Sequence, residues 1–143
     1  MPRDFGQTEK PDSSVSDDSQ RQENPFCQSR PRYLLQSELA FERAVFKHPK
    51  LSIFRRNATT WEVLLMIARA DEQQGPGLYE IVESVETNAL GQSALLRFLR
   101  ERREDGIIRF NRSPQKQSKW TLAISEDLRA DLLDLLLLRQ QAR

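Results

Sequence analysis

One stretch of this 143-residue chain departs from helical periodicity. "IIRF", from Ile107, and "KWTLAI", from Lys119, are runs of β-branched and aromatic residues with partial alternation. The polar segment "NRSPQKQS" joins them. Together they predict a hairpin with an extended tip. A lone hairpin among helices leaves one class of fold, mainly α with a small sheet (α+β).

The rest of the folded part reads as helix. "RYLLQSELAFERAVFKHP" places Leu35, Leu39, Glu42 and Phe46 at helical spacing until Pro49 stops it. "KLSIFRRNA" is a connector or short helix. "TTWEVLLMIARADEQQGPG" is a second helix with Thr59 or Thr60 as N-cap, and Trp61, Leu64, Leu65, Ile67 and Ala68 mostly inward. "LYEIVESVET" is a short third helix and "NALG" a tight turn. A fourth helix runs from Gln92 to Asp105, closed by Gly106 in the left-handed region. Ser125 caps a leucine-rich last helix.

Residues 1–30 are rich in Ser, Asp, Gln, Pro and Glu and hold almost no aliphatic side chains. Such a segment buries too little apolar surface to offset its ordering entropy, so a disordered tail is expected, with Cys27 an inert exposed thiol. The folded domain is then 31–143. With one cysteine and one histidine, an internal disulfide framework is excluded and a zinc cluster is not expected. No apolar run approaches the roughly 20 residues that span a bilayer, and the N-terminus lacks a secretion-signal core. The expected location is the cytoplasm, with no membrane partner.

Net charge is only +1, but its distribution is uneven. Residues 91–120 carry eight Arg or Lys against three acids, while the segments on either side are slightly negative. On a helical wheel Leu95, Phe98 and Leu99 define the apolar stripe of the fourth helix, and Ser93, Arg97, Arg100 and Glu104 face almost the opposite way. A short helix, a tight turn, a basic helix and a hairpin form a winged helix-turn-helix pattern, in which the second helix enters the major groove of DNA. Gln92, Ser93 and Arg97 would then meet base edges, and Arg100 and Arg103 the flanking phosphates. Arg109, Arg112, Lys116 and Lys119 lie in or beside the hairpin, with no acid between Ile107 and Ser125. These nine residues are the expected DNA-binding set, and their affinity would be salt-dependent. The competing reading is a solvated helix supported by Arg97–Glu101 and Arg100–Glu104 pairs. That reading fits a winged-helix adaptor binding protein without specific DNA contact.

In this order of elements the chain resembles the MarR family of winged-helix transcriptional regulators, over about Arg32 to Arg139. "TTWEVLLMIARA" is similar to the helix before the reading head. "LYEIVESVETNALGQSALLRFLRERREDGIIRF" resembles the helix-turn-helix and first wing strand, and "SKWTLAIS" the second. The resemblance implies a homodimer on a palindromic operator, usually a repressor relieved by a small-molecule effector or by oxidation. The family's Asp-Arg-Arg-like wing cluster is replaced here by "PQKQSK", where Lys116 and Lys119 would take the phosphate contact.

The terminal helices support the dimer independently. Leu128, Leu132, Leu135 and Leu136 belong to a helix apolar around most of its circumference, which needs cover on more than one side. Leu35, Leu39 and Phe46 of the first helix offer a partner surface, making 31–48 and 125–141 dimerisation helices around a winged helix-turn-helix at 59–124. The alternative is that both helices only close one chain's own core. No catalytic constellation or cofactor motif is present, so no enzymatic activity is expected. Trp61 and Tyr79 are candidates to line an effector pocket, though Trp61 also reads as core. His48 reads as a helix-end cap.

Overall fold

The computed structural model describes residues 25–70, 75–113, 115, 116 and 119–140. Among them are six helices and one two-stranded antiparallel sheet. In order these are α1 (Pro25–Lys47), α2 (Leu51–Arg55), α3 (Ala58–Arg69), α4 (Leu78–Ser84), α5 (Gln92–Glu104), β1 (Ile108–Arg112), β2 (Trp120–Ile124) and α6 (Glu126–Gln140). The chain is mainly α with a small sheet, the class its periodicity predicts. The helix α1 begins inside the expected tail, six residues before position 31; residues 1–24 lie outside the described part.

Both ends of α3 and the C-terminus of α5 have a chemical cause. Asn57 caps α3, its side chain accepting the N–H groups of Thr59 at 2.8 Å and Thr60 at 3.4 Å. Thr59 and Thr60, the expected caps, are instead buried in the first turn. The Thr60 hydroxyl is 2.7 Å from the Phe54 carbonyl and so ties α3 to α2. At the other end of α3, the Arg129 guanidinium from α6 donates to the carbonyls of Ala68 and Ala70. The α5 helix closes in a Schellman arrangement. Ile107 N–H bonds the Arg102 carbonyl at 2.9 Å and Gly106 N–H the Arg103 carbonyl at 3.1 Å, with Gly106 at φ +81°.

The hairpin pairs Ile108 with Ile124, Phe110 with Leu122 and Arg112 with Trp120. Just before α4 the chain joins its edge: Gly77 bridges Thr121, and Leu122 N–H donates to the Pro76 carbonyl at 2.9 Å. A Cβ on Gly75 would sit 2.5 Å from the Leu122 carbonyl oxygen, so this close approach needs glycine. The core collects Phe41, Phe54, Leu64, Ile67, Ile81, Leu95, Leu99, Ile108 and Leu122 from nearly every element.

The helices α1 and α6 lie antiparallel against each other. Ser37 donates its hydroxyl to the Leu138 carbonyl, Glu38 pairs with Arg139 at 2.8 Å, and His48 Nε2 meets Asp131 at 2.8 Å. His48 Nδ1 accepts the N–H groups of Lys50 and Leu51, so the ring caps α2 as well. This packing corrects the assignment of Leu128 and Leu132 to a dimer interface. Both are buried in the chain's own core, 3% and 1% exposed. Leu135 and Leu136 are half-buried against it. The large apolar residues of this helix pair left open are Tyr33, Leu34, Leu35, Leu39 and Phe46 of α1 and Leu133 and Leu137 of α6.

Candidate functional site

The basic helix α5 is seated from both ends and from behind. Leu95 and Leu99 are fully buried, and Phe98 meets Phe54 edge-on at 5.5 Å. Burial of this stripe turns the opposite face outward. Ser93, Arg97, Arg100 and Glu104 are exposed, in agreement with the wheel, and so are Gln92 and Arg103 on the flanks of that face. Among the described residues Arg97 and Arg100 form no ion pair, so the intrahelical pairs to Glu101 and Glu104 are not made. Arg102, on the apolar side, escapes by lying over the Phe98 ring at 4.8 Å and pairing with Asp105 at 2.8 Å.

The turn before α5 is held by side chains of α3. The Glu62 carboxylate accepts the backbone N–H groups of Glu86 at 2.8 Å and Thr87 at 3.0 Å, and the Thr87 hydroxyl at 2.6 Å. Thr59 Oγ1 accepts the Ala89 N–H at 3.0 Å, and the Asn57 amide donates to the Ala89 carbonyl at 3.3 Å. These bonds divert the N–H groups of Glu86 and Thr87 from α4, which stops at Ser84 rather than running to Thr87 as the periodicity predicts. Burial pushes the Glu62 carboxyl up, but donation by Thr87 and the two backbone groups outweighs it and leaves its pKa below the usual carboxylate value.

The hairpin cations divide into groups. Arg103 of α5 lies 5.0 Å from both the Phe110 and Trp120 rings, and Arg112 of β1 lies 3.9 Å from the Trp120 ring. Arg109 approaches the Ile124 carbonyl at 3.4 Å. Lys116 is exposed near the tip. Lys119 is held by Glu80 of α4 at 2.6 Å, and that bond lowers the Glu80 pKa. Lys119 is therefore engaged across the hairpin–α4 boundary, a pairing hidden from the sequence by the separation of the two residues.

The two candidate pocket residues occupy different settings. Trp61 is buried against Phe41 at 6.1 Å. Tyr79 is exposed and lines an open groove of about 420 Å³ between α4 and the hairpin, with Glu80, Glu83, Lys119 and Trp120. A second groove of about 310 Å³ lies between α1 and α2, lined by Val45, Phe46 and Arg55 among others. There Arg55 donates to Glu42 at 3.2 Å, and its hydrogen bond is the main cause of the lowered Glu42 pKa. No sequence signal marked this groove.

Among the described residues no group of His, Cys, Asp or Glu could hold a metal ion, and no helix is long and apolar enough to cross a membrane. No protein family and no curated protein matches this sequence.

Proposed function

We propose that the chain is a sequence-specific DNA-binding regulator of the MarR type, probing DNA with α5 and flanking phosphates with the β1–β2 wing. One observation carries this reading. The Gln92, Ser93, Arg97 and Arg100 face is exposed, and Arg97 and Arg100 form no ion pair among the described residues. Arg on such a face can bond guanine through two hydrogens, and Gln can do the same for adenine. Gln92 and Ser93 occupy the first turn, where unsatisfied backbone N–H groups favour an anion. The Glu62 clamp supports the reading, because a reading helix must be presented rigidly by its turn.

A homodimer belongs to the proposal. Leu35, Leu39, Leu133 and Leu137 leave an apolar surface on the α1–α6 pair that water covers poorly. A two-fold dimer would present two α5 helices to half-sites about one DNA turn apart. Repression by blocking polymerase, and relief by a small-molecule effector, extend this reading through the family resemblance.

Selection of bound fragments from a random DNA pool, followed by salt titration, tests the proposal. The expected result is an enriched pseudo-palindrome bound with steep salt dependence. A protein-interaction adaptor would enrich no sequence.

A further inference from the structure

Among the described residues, one side chain bonds the wing tip to α4. The β1–β2 ladder ends at the Arg112–Trp120 pair, and the bridge from Gly77 reaches only Thr121. Beyond them the described tip residues are Ser113, Gln115, Lys116 and Lys119. They close on themselves. Ser113 N–H donates to the Lys119 carbonyl at 2.9 Å, and Lys119 N–H to the Lys116 carbonyl at 3.0 Å. Ser113 Oγ accepts the N–H groups of Gln115 at 3.2 Å and Lys116 at 3.4 Å. The Lys119 ammonium alone leaves the hairpin, donating to Glu80 Oε1 at 2.6 Å.

This contact is prepared from the α4 side. Lys119 lays its stem across Gly77, where an added Cβ would sit 2.6 Å from Cε and 3.4 Å from Glu80 Oε1. Gly77 is the N-cap of α4, and its N–H stabilises the Glu80 carboxylate as in a capping box. Lys116 is exposed and forms no ion pair among the described residues. One closed turn carries both lysines. Tying Lys119 to α4 therefore fixes where Lys116 stands relative to α5, which packs against α4. We infer that Glu80 and Lys119 form a brace that positions the wing tip, so that Lys116 makes a contact to the DNA backbone that Lys119 does not. The inference rests on the DNA-binding reading above and removes Lys119 from the expected contact set. With partners 42% and 60% exposed, the pair is weak, so the brace tunes affinity rather than holding the fold.

Anisotropy of a labelled duplex from the selected pool, measured between roughly 50 and 200 mM salt, tests the brace. Gly77→Ala is the main probe. Gly77 has φ −71°, which alanine adopts, and the added Cβ meets the flexible end of Lys119 rather than backbone. It displaces the ammonium from Glu80 without changing any charge. Binding should weaken about threefold, and the salt slope become shallower by up to about 0.9, as Lys116 loses its place. Glu80→Gln keeps a capping oxygen and should weaken binding similarly, although loss of an acid near DNA would by itself tighten it. Lys116→Gln removes the contact itself and should make the slope shallower by about 0.9. The decisive variant is Gly77→Ala with Lys116→Gln. It should bind no more weakly than Lys116→Gln alone, because a brace with no contact to position has no further effect. A general loss of structure would instead add to the Lys116 loss, which overturns the inference. Wild-type affinity in either Gly77→Ala or Glu80→Gln also overturns it. So does tighter binding with a steeper slope, which would mean that Glu80 withholds Lys119 from phosphate. If Gly77→Ala does not fold, Glu80→Gln takes its place in the combined variant. Arg97→Ala separates the two levels. If it abolishes selective binding while the brace variants bind as wild type, the reading helix stands and the brace falls. If the wild type selects no DNA, both fall.

Discussion

Glu62 holds Thr87 by two hydrogen bonds, one from the backbone N–H at 3.0 Å and one from the hydroxyl at 2.6 Å. The two residues are 25 positions apart, and their contact sets where α4 ends and how α5 is presented. Glu62→Ala leaves the N–H groups of Glu86 and Thr87 without this acceptor, so it should cost about 1–2 kcal/mol of stability. DNA affinity should fall more in this variant than in an exposed α4 variant such as Glu83→Ala. Urea unfolding paired with duplex binding checks both.

The same carboxylate makes stability depend on pH. Its pKa is lower in the folded chain than in the unfolded one, so the unfolded state binds the proton more readily in that range. The contribution is present above the ordinary value of about 4.3 and is lost as pH falls through the lower folded value. Glu80 and Glu42 shift the same way, through Lys119 and Arg55. Urea midpoints should therefore fall on acidification below pH ~4.3. The fall should be smaller in Glu62→Gln, which keeps an acceptor oxygen but does not titrate.

The apolar surface of the terminal helices separates core from interface. Leu39→Glu with Leu137→Glu should convert a dimer to a monomer in sedimentation velocity while leaving the helical spectrum unchanged, because both side chains are exposed in the single chain. Leu132→Ala should instead cost about 2–5 kcal/mol, since Leu132 is 1% exposed within its own chain. A wild type that sediments as a monomer contradicts the dimer outright.

Gly106, at φ +81°, ends α5 and aims β1. An added Cβ meets no atom within 4 Å, so the cost of Gly106→Ala is conformational alone, about 1–2 kcal/mol. Thermal unfolding measures it. A neutral or stabilising effect would mean that the Schellman closure is dispensable.

Local chemistry was legible in the sequence, and distant pairing was not. Gly106, the Ser125 cap and the exposed face of α5 follow from residues within a turn or two of one another, and Leu128 N–H does bond the Ser125 hydroxyl at 3.1 Å. The hairpin was legible because periodicity changes at Ile107. Thr59 and Thr60 looked like caps by composition, yet Asn57 takes that role and frees their hydroxyls for contacts to distant backbone. Leu128 and Leu132 could not be sorted from Leu133 and Leu137 on a helix apolar nearly all round; only the packing against α1 and the core decides which leucines face inward. The Glu80–Lys119 bond and the stack on Trp120 join elements 39 and 17 residues apart in sequence, with no local pattern to announce them.

The most direct measurement is the affinity of Arg97→Ala with Arg112→Ala for the selected duplex and for a scrambled one, at fixed salt. If α5 and the wing form the reading head, the variant loses about 10²-fold on the selected duplex, and the gap between the two duplexes narrows. An affinity equal to the wild type's on both duplexes would contradict the assignment of α5 to the DNA groove.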